Sequence, residues 1–393
     1  MLLVERHFHK GTPEIIELCK TSKELYNRCN YYLRHWWFKC LKEDSWMTPM
    51  PDLNMLVQLV RDEGCFKNLH NTKTAKQTIR KVITDWWSFR KALKAYNKDS
   101  SGFKKKPKPP KYKEKMAQVI FYNETIKGGQ SKKKQFETIT PSNSCFVVRS
   151  DRKFKQVVIT PKTFGFVIEV QYEHPLKKGR SKAKGVCCID IGLNNLCAIT
   201  SDQHSPILVN GRIVKSVNQW YNKNRSKKRS RKRYWRLENY FHHVSKWVVQ
   251  HCVKHGIGKI IIGRNVGWKQ RQNHGKKNNQ NFQSVPFDKL LEKINYKAMM
   301  EGIEVVFTEE AYTSKASFLD HDPIPAYDGH AESPQFSGSR VKRGLYKTFR
   351  PIHADVNGSL NIGRKVIGDK VYAFSDRSIA AMPVRVNPLK VSA

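Results

Sequence analysis

The chain has 393 residues, enough for two or more domains each with its own core. Its 73 Lys and Arg against 33 Asp and Glu leave a formal charge of +40, an excess that repels itself in the compact state and calls for a polyanionic partner. No apolar run approaches the ~20 residues of a membrane span, MLLVERHFHK is too short and too charged for a secretory signal, and nine scattered cysteines show no disulfide framework.

Residues 2–9 alternate as an edge strand. From Thr12 the pattern turns helical, with Pro13 suited to a first turn and Ile15, Leu18, Leu25, Tyr26 and Trp36 recurring at helical intervals. A loop is expected over 43–54 and further helices over about 54–62 and 72–96, the last with an apolar stripe (Ile79, Val82, Ile83, Trp86, Phe89, Leu93) flanked by cations. At Ser100 the composition shifts to SSGFKKKPKPPKYKEK, whose prolines forbid helix, so it reads as a linker or an extended basic clamp built from Lys104, Lys105, Lys106, Lys108 and Lys111. Short β-branched runs at 117–123, 145–149, 156–160 and 165–172 describe a small β-module interrupted by the helical insertion. Aromatics interleave with the basic residues in WWSFRKALKAY and KKRSRKRYWRLENY. Bases stack on aromatic faces while cations neutralise phosphates, so nucleic acid is the favoured polyanion over a membrane surface.

The second half begins with GVCCIDIGLNNLCAIT, a hairpin around Gly192 with Asp190 at the end of its first strand. A carboxylate in so apolar a strand costs several kcal/mol if buried without compensation. It is either a strand-end Asp bonded to turn amides or a metal-binding carboxylate. Residues 222–256 read as one or two long helices whose first part is almost all cation: Arg225, Lys227, Lys228, Arg229, Arg231, Lys232 and Arg233. Like charges that dense destabilise a free helix, which favours contact with nucleic acid over a solvated face. Ile260 to Ile262 centres a parallel strand buried on both faces and ended by Gly263, a helix follows at about 286–301, and 303–308 is another strand, leading to Glu309 and Glu310. After a loop-rich 311–350, Asp355 precedes a helical pattern with Leu360, Ile362 and Val366. Three acidic positions gathered at one end of a mixed sheet would make a hard-oxygen site suited to Mg²⁺, able to support phosphodiester hydrolysis.

The motifs CIDIGLNNLCAIT, EAYTSKASF and HADVNGSLNI resemble three blocks of the TnpB family of transposon-encoded, RNA-guided nucleases, relatives of the type V CRISPR effector nucleases. The resemblance covers about 185–367 closely and the N-terminal half in its order of parts. It implies an α/β RuvC-like nuclease domain of RNase H-like fold (181–310 and 351–368), preceded by a β-barrel wedge module (1–11 and 99–180) with an inserted helical recognition lobe (12–98). The target-nucleic-acid-binding insert would be 311–350 and a C-terminal tail 369–393. It further implies guide RNA and target DNA as partners, recognition of a short target-adjacent motif, Mg²⁺ with Mn²⁺ as the alternative ion, no membrane, and a prokaryotic cytoplasm with the nucleoid as the place of work. Oligomeric state is left open. By the resemblance Asp190 is the first catalytic carboxylate and Asp355 the third.

Two departures stand out. Where the family carries its second carboxylate, at the end of KIIIGRN, this chain has Gly263. Neighbouring strand ends lie about 4.8 Å apart, so a Glu from the adjacent strand can reach the same metal, and EAYTSK resembles a variant branch with Glu at that place. Glu310 is the expected ligand and Glu309 the reserve. The family's two Cys pairs are replaced by Ser317 and Asp320, then Arg340 and Arg343, so no zinc is expected. His321, Asp322 and His330 are not read as a replacement site. Thr313, Ser314 and Lys315 are candidates for phosphate contact or simple capping, Asn357 and Asn361 for orienting Asp355, contacting DNA or facing solvent, and WKQRQNHGKKNNQNF (268–282) for a lid. The alternatives to an RNA-guided endonuclease are an RNA-guided repressor with a dead site and an RNA-independent transposase or resolvase on the same fold.

Overall fold

The computed structural model describes residues 1–43, 49–103, 105–127, 137–141, 148–150, 154–177, 183–264, 284–326, 334–374 and 382–391. Lys104, His330 and the expected lid at 268–282 lie outside the described residues. The chain divides into two compact units, Met1–His174 and Pro175–Ala393, with a mixed α/β composition and several sheets. No helix among the described residues is long and apolar enough to cross a membrane.

In the first unit, β1 (Leu2–His9) leads into α1 (Pro13–Lys42), whose first turn is closed by Pro13 and by Thr12 Oγ1 accepting from the Ile15 amide. α2 (Leu53–Val60), α3 (Gly64–Lys67) and α4 (Thr72–Lys98) follow, the last capped by Asn71. The stripe predicted on α4 meets α1 in a core holding Trp37, Trp86 and Phe89, with ring centroids 5.1–6.0 Å apart. Trp86 Nε1 donates to buried Asn30 Oδ1 at 2.8 Å, so this large ring is buried without an orphaned donor.

The chain then returns through β2 (Val119–Tyr122), β3 (Ile126–Lys127), β4 (Glu137–Pro141), β5 (Val148–Ser150), β6 (Phe154–Lys162) and β7 (Gly165–Glu173). Among the described residues the main sheet is antiparallel in the order β1-β7-β6-β2, and β1 is an edge, as its alternation predicts. β1 and β7 pair from Leu2↔Glu173 to His9↔Phe166, so strands from before and after the helical insertion in sequence lie side by side.

The basic segment at 105–113 is extended and fastened along α1. Asn30 Nδ2 and Arg34 Nη1 both donate to the Pro110 carbonyl, at 3.1 and 2.9 Å, and Asn27 exchanges two bonds with the Lys113 backbone. Proline removes donors and internal structure from this segment, so its carbonyls are free to take side chains.

The second unit is built on β8 (Gly185–Asp190), β9 (Asn195–Ser201), β10 (Ile207–Asn210), α5 (Arg212–Lys223), α6 (Lys227–Lys254), β11 (Ile257–Gly263), α7 (Phe287–Met300), β12 (Glu304–Thr308), β13 (Ser339–Lys342), β14 (Leu345–Lys347), β15 (Pro351–His353), α8 (Ala354–Ile367) and β16 (Val384–Val386). Its main sheet runs β12-β11-β8-β9-β10-β16 among the described residues. β8 and β9 form the expected hairpin, and β11 lies parallel between β8 and β12. Alternation sorts the strands: Cys187, Ile189, Ile260 and Ile262 face a core with α6 and α7, while Cys188, Ile261 and Ala198 face α8.

The basic helix expected over 222–256 begins at Ser226, which caps Arg229, and a separate helix, α5, precedes it. The loop-rich region after 311 contains the small sheet β13-β14-β15, and residues 384–386 add the edge strand β16 parallel to β10. Neither had shown itself in the periodicity, because strands of three or four residues carry too few alternations to read.

Candidate metal centre

Parallel pairing sets the site. β8 and β11 run in register from Val186↔Lys259 to Ile189↔Ile262, and β11 and β12 from Lys259↔Glu304 to Gly263↔Thr308. Asp190, Gly263 and the residues following Thr308 therefore emerge at one end of the sheet. α8 crosses the face behind them, bringing Asp355 in its first turn, where the exposed amides of a helix start favour an anion.

Two glycines let these elements close up. An ideal Cβ on Gly263 would lie 2.5 Å from Glu310 Oε1 and 2.6 Å from Glu310 Cγ. The space at the end of β11 is thus filled by the side chain that comes from beyond β12. An ideal Cβ on Gly358 would lie 2.9 Å from Asp190 Oδ2, so α8 seats directly against that carboxylate.

The field at the site matches this packing. Burial raises the Asp190 carboxyl well above the usual range, and the neighbouring Glu310 and Asp355 carboxylates raise it further, while Arg340 opposes them. Burial also lifts Glu310 to about 7. Asp355 Oδ2 accepts from Asn195 Nδ2 at 2.7 Å, and its Oδ1 stands 3.7 Å from an Arg340 nitrogen. Glu309 is occupied elsewhere: its Oε1 accepts from Lys365 Nζ at 2.9 Å and from the Ala311 amide at 3.0 Å. Among the described residues no group of three or more His, Cys, Asp and Glu is drawn up as a finished metal cage. The carboxylate oxygens brought to this end of the sheet are of the hard type that suits Mg²⁺.

Asp190 and Asp355 open onto a cleft of about 1230 Å³ whose lining also includes Asn195, Arg212, Lys215, Ser314, Arg340, Lys342, Arg343, His353 and Arg385. Cations around Asp190 and Asp355 make a cavity that attracts a polyanion and still offers acid oxygens. Asn195 and His353 are the contributors sequence reasoning missed. Asn195 lies in the block quoted around Asp190, but nothing in its spacing announces a partner 160 residues away. His353 caps α8 by accepting from the Asp355 amide at 3.3 Å.

The other candidates are placed as follows. Lys105, Lys106, Lys108 and Lys111 are exposed on the first unit. Arg225, Lys227, Lys228 and Lys232 are exposed at the start of α6, whereas Arg229, Arg231 and Arg233 are partly covered. Arg229 donates to the Trp220 carbonyl and lies over that ring, and Arg233 bonds Asn218 at 2.6 Å and the Ser284 carbonyl at 2.6 Å. These two arginines fasten α6 to its neighbours, and the aromatic rings of α5 relieve part of the crowding of like charges.

Thr313 caps the turn by donating to the Glu310 carbonyl, and Ser314 lines the cleft. Asn357 and Asn361 neither face solvent nor point to Asp355. Both are fully buried, and they bond Phe318 N, Ala316 O and Thr313 O, stitching the segment after Glu310 onto α8. In the insert, Asp322 accepts from the Ser317 amide at 2.7 Å and from the Ser337 amide and hydroxyl at 3.0 and 2.5 Å.

The family model described as "Cas12f1-like, TNB domain" matches residues 287–362, from α7 through most of α8 and so across Glu310 and Asp355. Among solved structures, the chain is similar to "Cryo-EM structure of the Cas12f1-sgRNA-target DNA complex", at 12% identity over 89% of this chain and 83% of that one, with a TM-score of 0.49. It is also similar to "Cryo-EM structure of CRISPR-Cas12f Ternary Complex", at 12% identity over 89% and 80%, with a TM-score of 0.31. A comparison with curated proteins found no match. The family likeness is thus to a Cas12f1-like TNB domain and is carried by residues 287–362.

Proposed function

We propose that the chain is an RNA-guided, Mg²⁺-dependent DNA endonuclease. The observation that carries the reading is geometric: Asp190 at the end of β8 packs against Gly358 of the helix that carries Asp355, Glu310 fills the space at Gly263 at the same end of the sheet, and a cation-lined cleft takes in Asp190 and Asp355. The Cas12f1-like match across two of the three acids supports it, as do the TnpB-like blocks and the charge of +40. In this reading the second unit is the RuvC-like nuclease with its insert, and the first is a wedge-type β-module carrying a helical recognition lobe. Guide RNA supplies sequence specificity by pairing, and the protein reads a short flanking motif and the A-form hybrid.

Asp190, Glu310 and Asp355 would hold Mg²⁺, with Mn²⁺ as the alternative. When bound, the metal supplies an activated water and charge stabilisation at a phosphodiester. Asp190 and Asp355 present their oxygens from rigid elements, the end of a central strand and the first turn of a helix. Glu310 enters through the space left at Gly263, and Asn195 holds one Asp355 oxygen so that the other turns to the cleft. Arg340, Lys342 and Arg343 draw the DNA backbone toward the acids. Glu309, tied to Lys365, serves the turn rather than the metal. Exposed lysines at 105–111 and the exposed cations opening α6 bind nucleic acid.

The test is Mg²⁺-dependent cleavage of a plasmid carrying a guide-matched target beside randomised flanking sequence, by protein copurified with its RNA. Cutting lost with Glu310→Gln and retained with Glu309→Gln is the expected result. Guide-dependent binding with no cutting leaves a repressor. Cutting that survives ribonuclease treatment points to an RNA-independent recombinase.

A further inference from the structure

The outward side of α1 changes character halfway along. It begins with Glu17, Lys20 and Glu24, a solvated mixture. It continues as Arg28, Tyr31, His35 and Phe38, at i, i+3, i+7 and i+10 on one face. No acidic residue stands between Glu24 and Glu43. Tyr31 and Phe38 are each 49% exposed, and Tyr112, fastened to α1 through Pro110, is 46% exposed.

These rings are braced rather than loose. Arg34 places its guanidinium 5.3 Å from the Phe38 centroid and 5.5 Å from that of Tyr112 while donating to the Pro110 carbonyl. His35 stacks on Tyr31 at 6.3 Å and 28°, and Arg28 lies over Tyr31 and Tyr32 at 6.0 and 5.3 Å. Exposed cations surround them: Lys39 and Lys42 continue α1, and Lys108 and Lys111 precede Tyr112 in the extended segment. Large rings held half in water among cations offer π-faces and positive charge together, the combination that grips a single strand.

We propose that this face of the first unit binds unpaired nucleotides of a polynucleotide strand. Their bases stack on Tyr31, Phe38 and Tyr112, and their phosphates meet Lys39, Lys108 and Lys111. A duplex hides its base faces in its own stack, so the surface selects single strand. The inference rests on the nucleic-acid role proposed for Lys108 and Lys111, but it uses no residue of the carboxylate cleft, so strand binding and cutting can fail separately.

The experiment uses the full chain, freed of copurified nucleic acid by high salt, with fluorescein-labelled homopolymers of uridine and of deoxythymidine and a DNA duplex of matched length. Tyr31→Ala, Phe38→Ala and Tyr112→Ala are each expected to weaken single-strand binding on the order of ten-fold. Tyr31→Phe and Phe38→Tyr should retain it, and duplex affinity should stay unchanged. Photocrosslinking with thiouridine or iodouracil substituted into the same homopolymers should place adducts on these rings, and the stronger of the two arms identifies RNA or DNA as the strand. Ring variants that weaken duplex and single strand alike, or neither, overturn the proposal, as do adducts confined to other residues. Light scattering in which Phe38→Ala converts a dimer to monomer with strand affinity intact assigns the face to a second copy instead.

Discussion

Replacing Gly263 by alanine puts a methyl group where the Glu310 side chain now runs. Gly263 does not adopt a left-handed backbone, so the effect is one of space alone. The added Cβ would lie 2.5 Å from Glu310 Oε1 and 2.6 Å from both Glu310 Cγ and Ile362 Cδ1, so neighbours must retreat by roughly 0.8–0.9 Å to reach ordinary contact at 3.4 Å. Ile362 is fully buried on α8, which leaves Glu310 to move. Overpacking of this kind costs about 1–3 kcal/mol, which for a unit of this size lowers the melting temperature by roughly 2–12 °C. Displacing a reacting group by about 1 Å costs on the order of 100-fold in rate. The expected outcome of Gly263→Ala is therefore a folded protein, slightly less stable, whose Mg²⁺-dependent cutting falls far more than its stability. The paired change Gly263→Glu with Glu310→Ala returns the carboxylate to the strand end and is expected to recover part of the cutting lost in Glu310→Ala alone. Cleavage at the parent rate with an unchanged melting curve in Gly263→Ala would refute the reasoning, since the Glu310 carboxylate could not then be working from that space.

Four other outcomes follow from contacts described above. Asn195→Ala frees one Asp355 oxygen and is expected to reduce the cleavage rate with guide and target affinity unchanged, as measured by single-turnover kinetics beside a binding assay. Asn361→Leu leaves the Thr313 carbonyl without its side-chain donor in the interior and should cost about 1–3 kcal/mol, read from urea denaturation. Asp322→Ala removes three hydrogen bonds that hold the insert, and hydrogen exchange should rise around Ser317 and Ser337 while the first unit is unaffected. His251 is packed against His204 and His255, with ring centroids 4.5 and 4.3 Å away, and against Trp247. Burial first, then His204, His255 and Lys254, lowers its pKa from 6.5 to about 3. The native state thus binds fewer protons than the unfolded one over that window. The stabilisation is complete above pH 6.5 and drains away as pH falls toward 3; melting temperatures measured across this range should decline less steeply in His251→Gln.

The strands that frame the carboxylates were legible because burial on both faces leaves an unbroken apolar run, as at 260–262, and because alternation separates adjacent residues, as Cys187 and Cys188 are separated onto opposite faces. The proximity of the Glu310 side chain to the end of β11 followed from reading 257–263 and 304–308 as neighbouring parallel strands. The ties between elements were not legible. Asn195 to Asp355 and Asn357 to Phe318 are single hydrogen bonds between residues 160 and 39 positions apart, and no local periodicity encodes them. The two asparagines of α8 showed their one-turn spacing in the sequence but not their burial, because what covers them is an irregular turn with no apolar pattern of its own. The charge run of α6 failed in a different way. Its exposed lysines and its inward-bonded arginines look alike in a string of cations, and only the rings of α5 distinguish them.

The pairing of β1 with β7 also has a bearing on how the chain is made. The first strand leaves the ribosome about 160 residues ahead of its partner, an interval of roughly 8–32 s at ordinary rates of synthesis. Throughout that time α1 and α4 can pack on each other, since both precede β7, while β1 waits with an open edge. Charged Glu5 and Arg6 in its middle make that edge less suited to pairing with other chains. The helical segment is thus expected to condense before the sheet whose strands flank it in sequence, so that a nascent chain presents a folded insertion before it has the module into which that insertion is set.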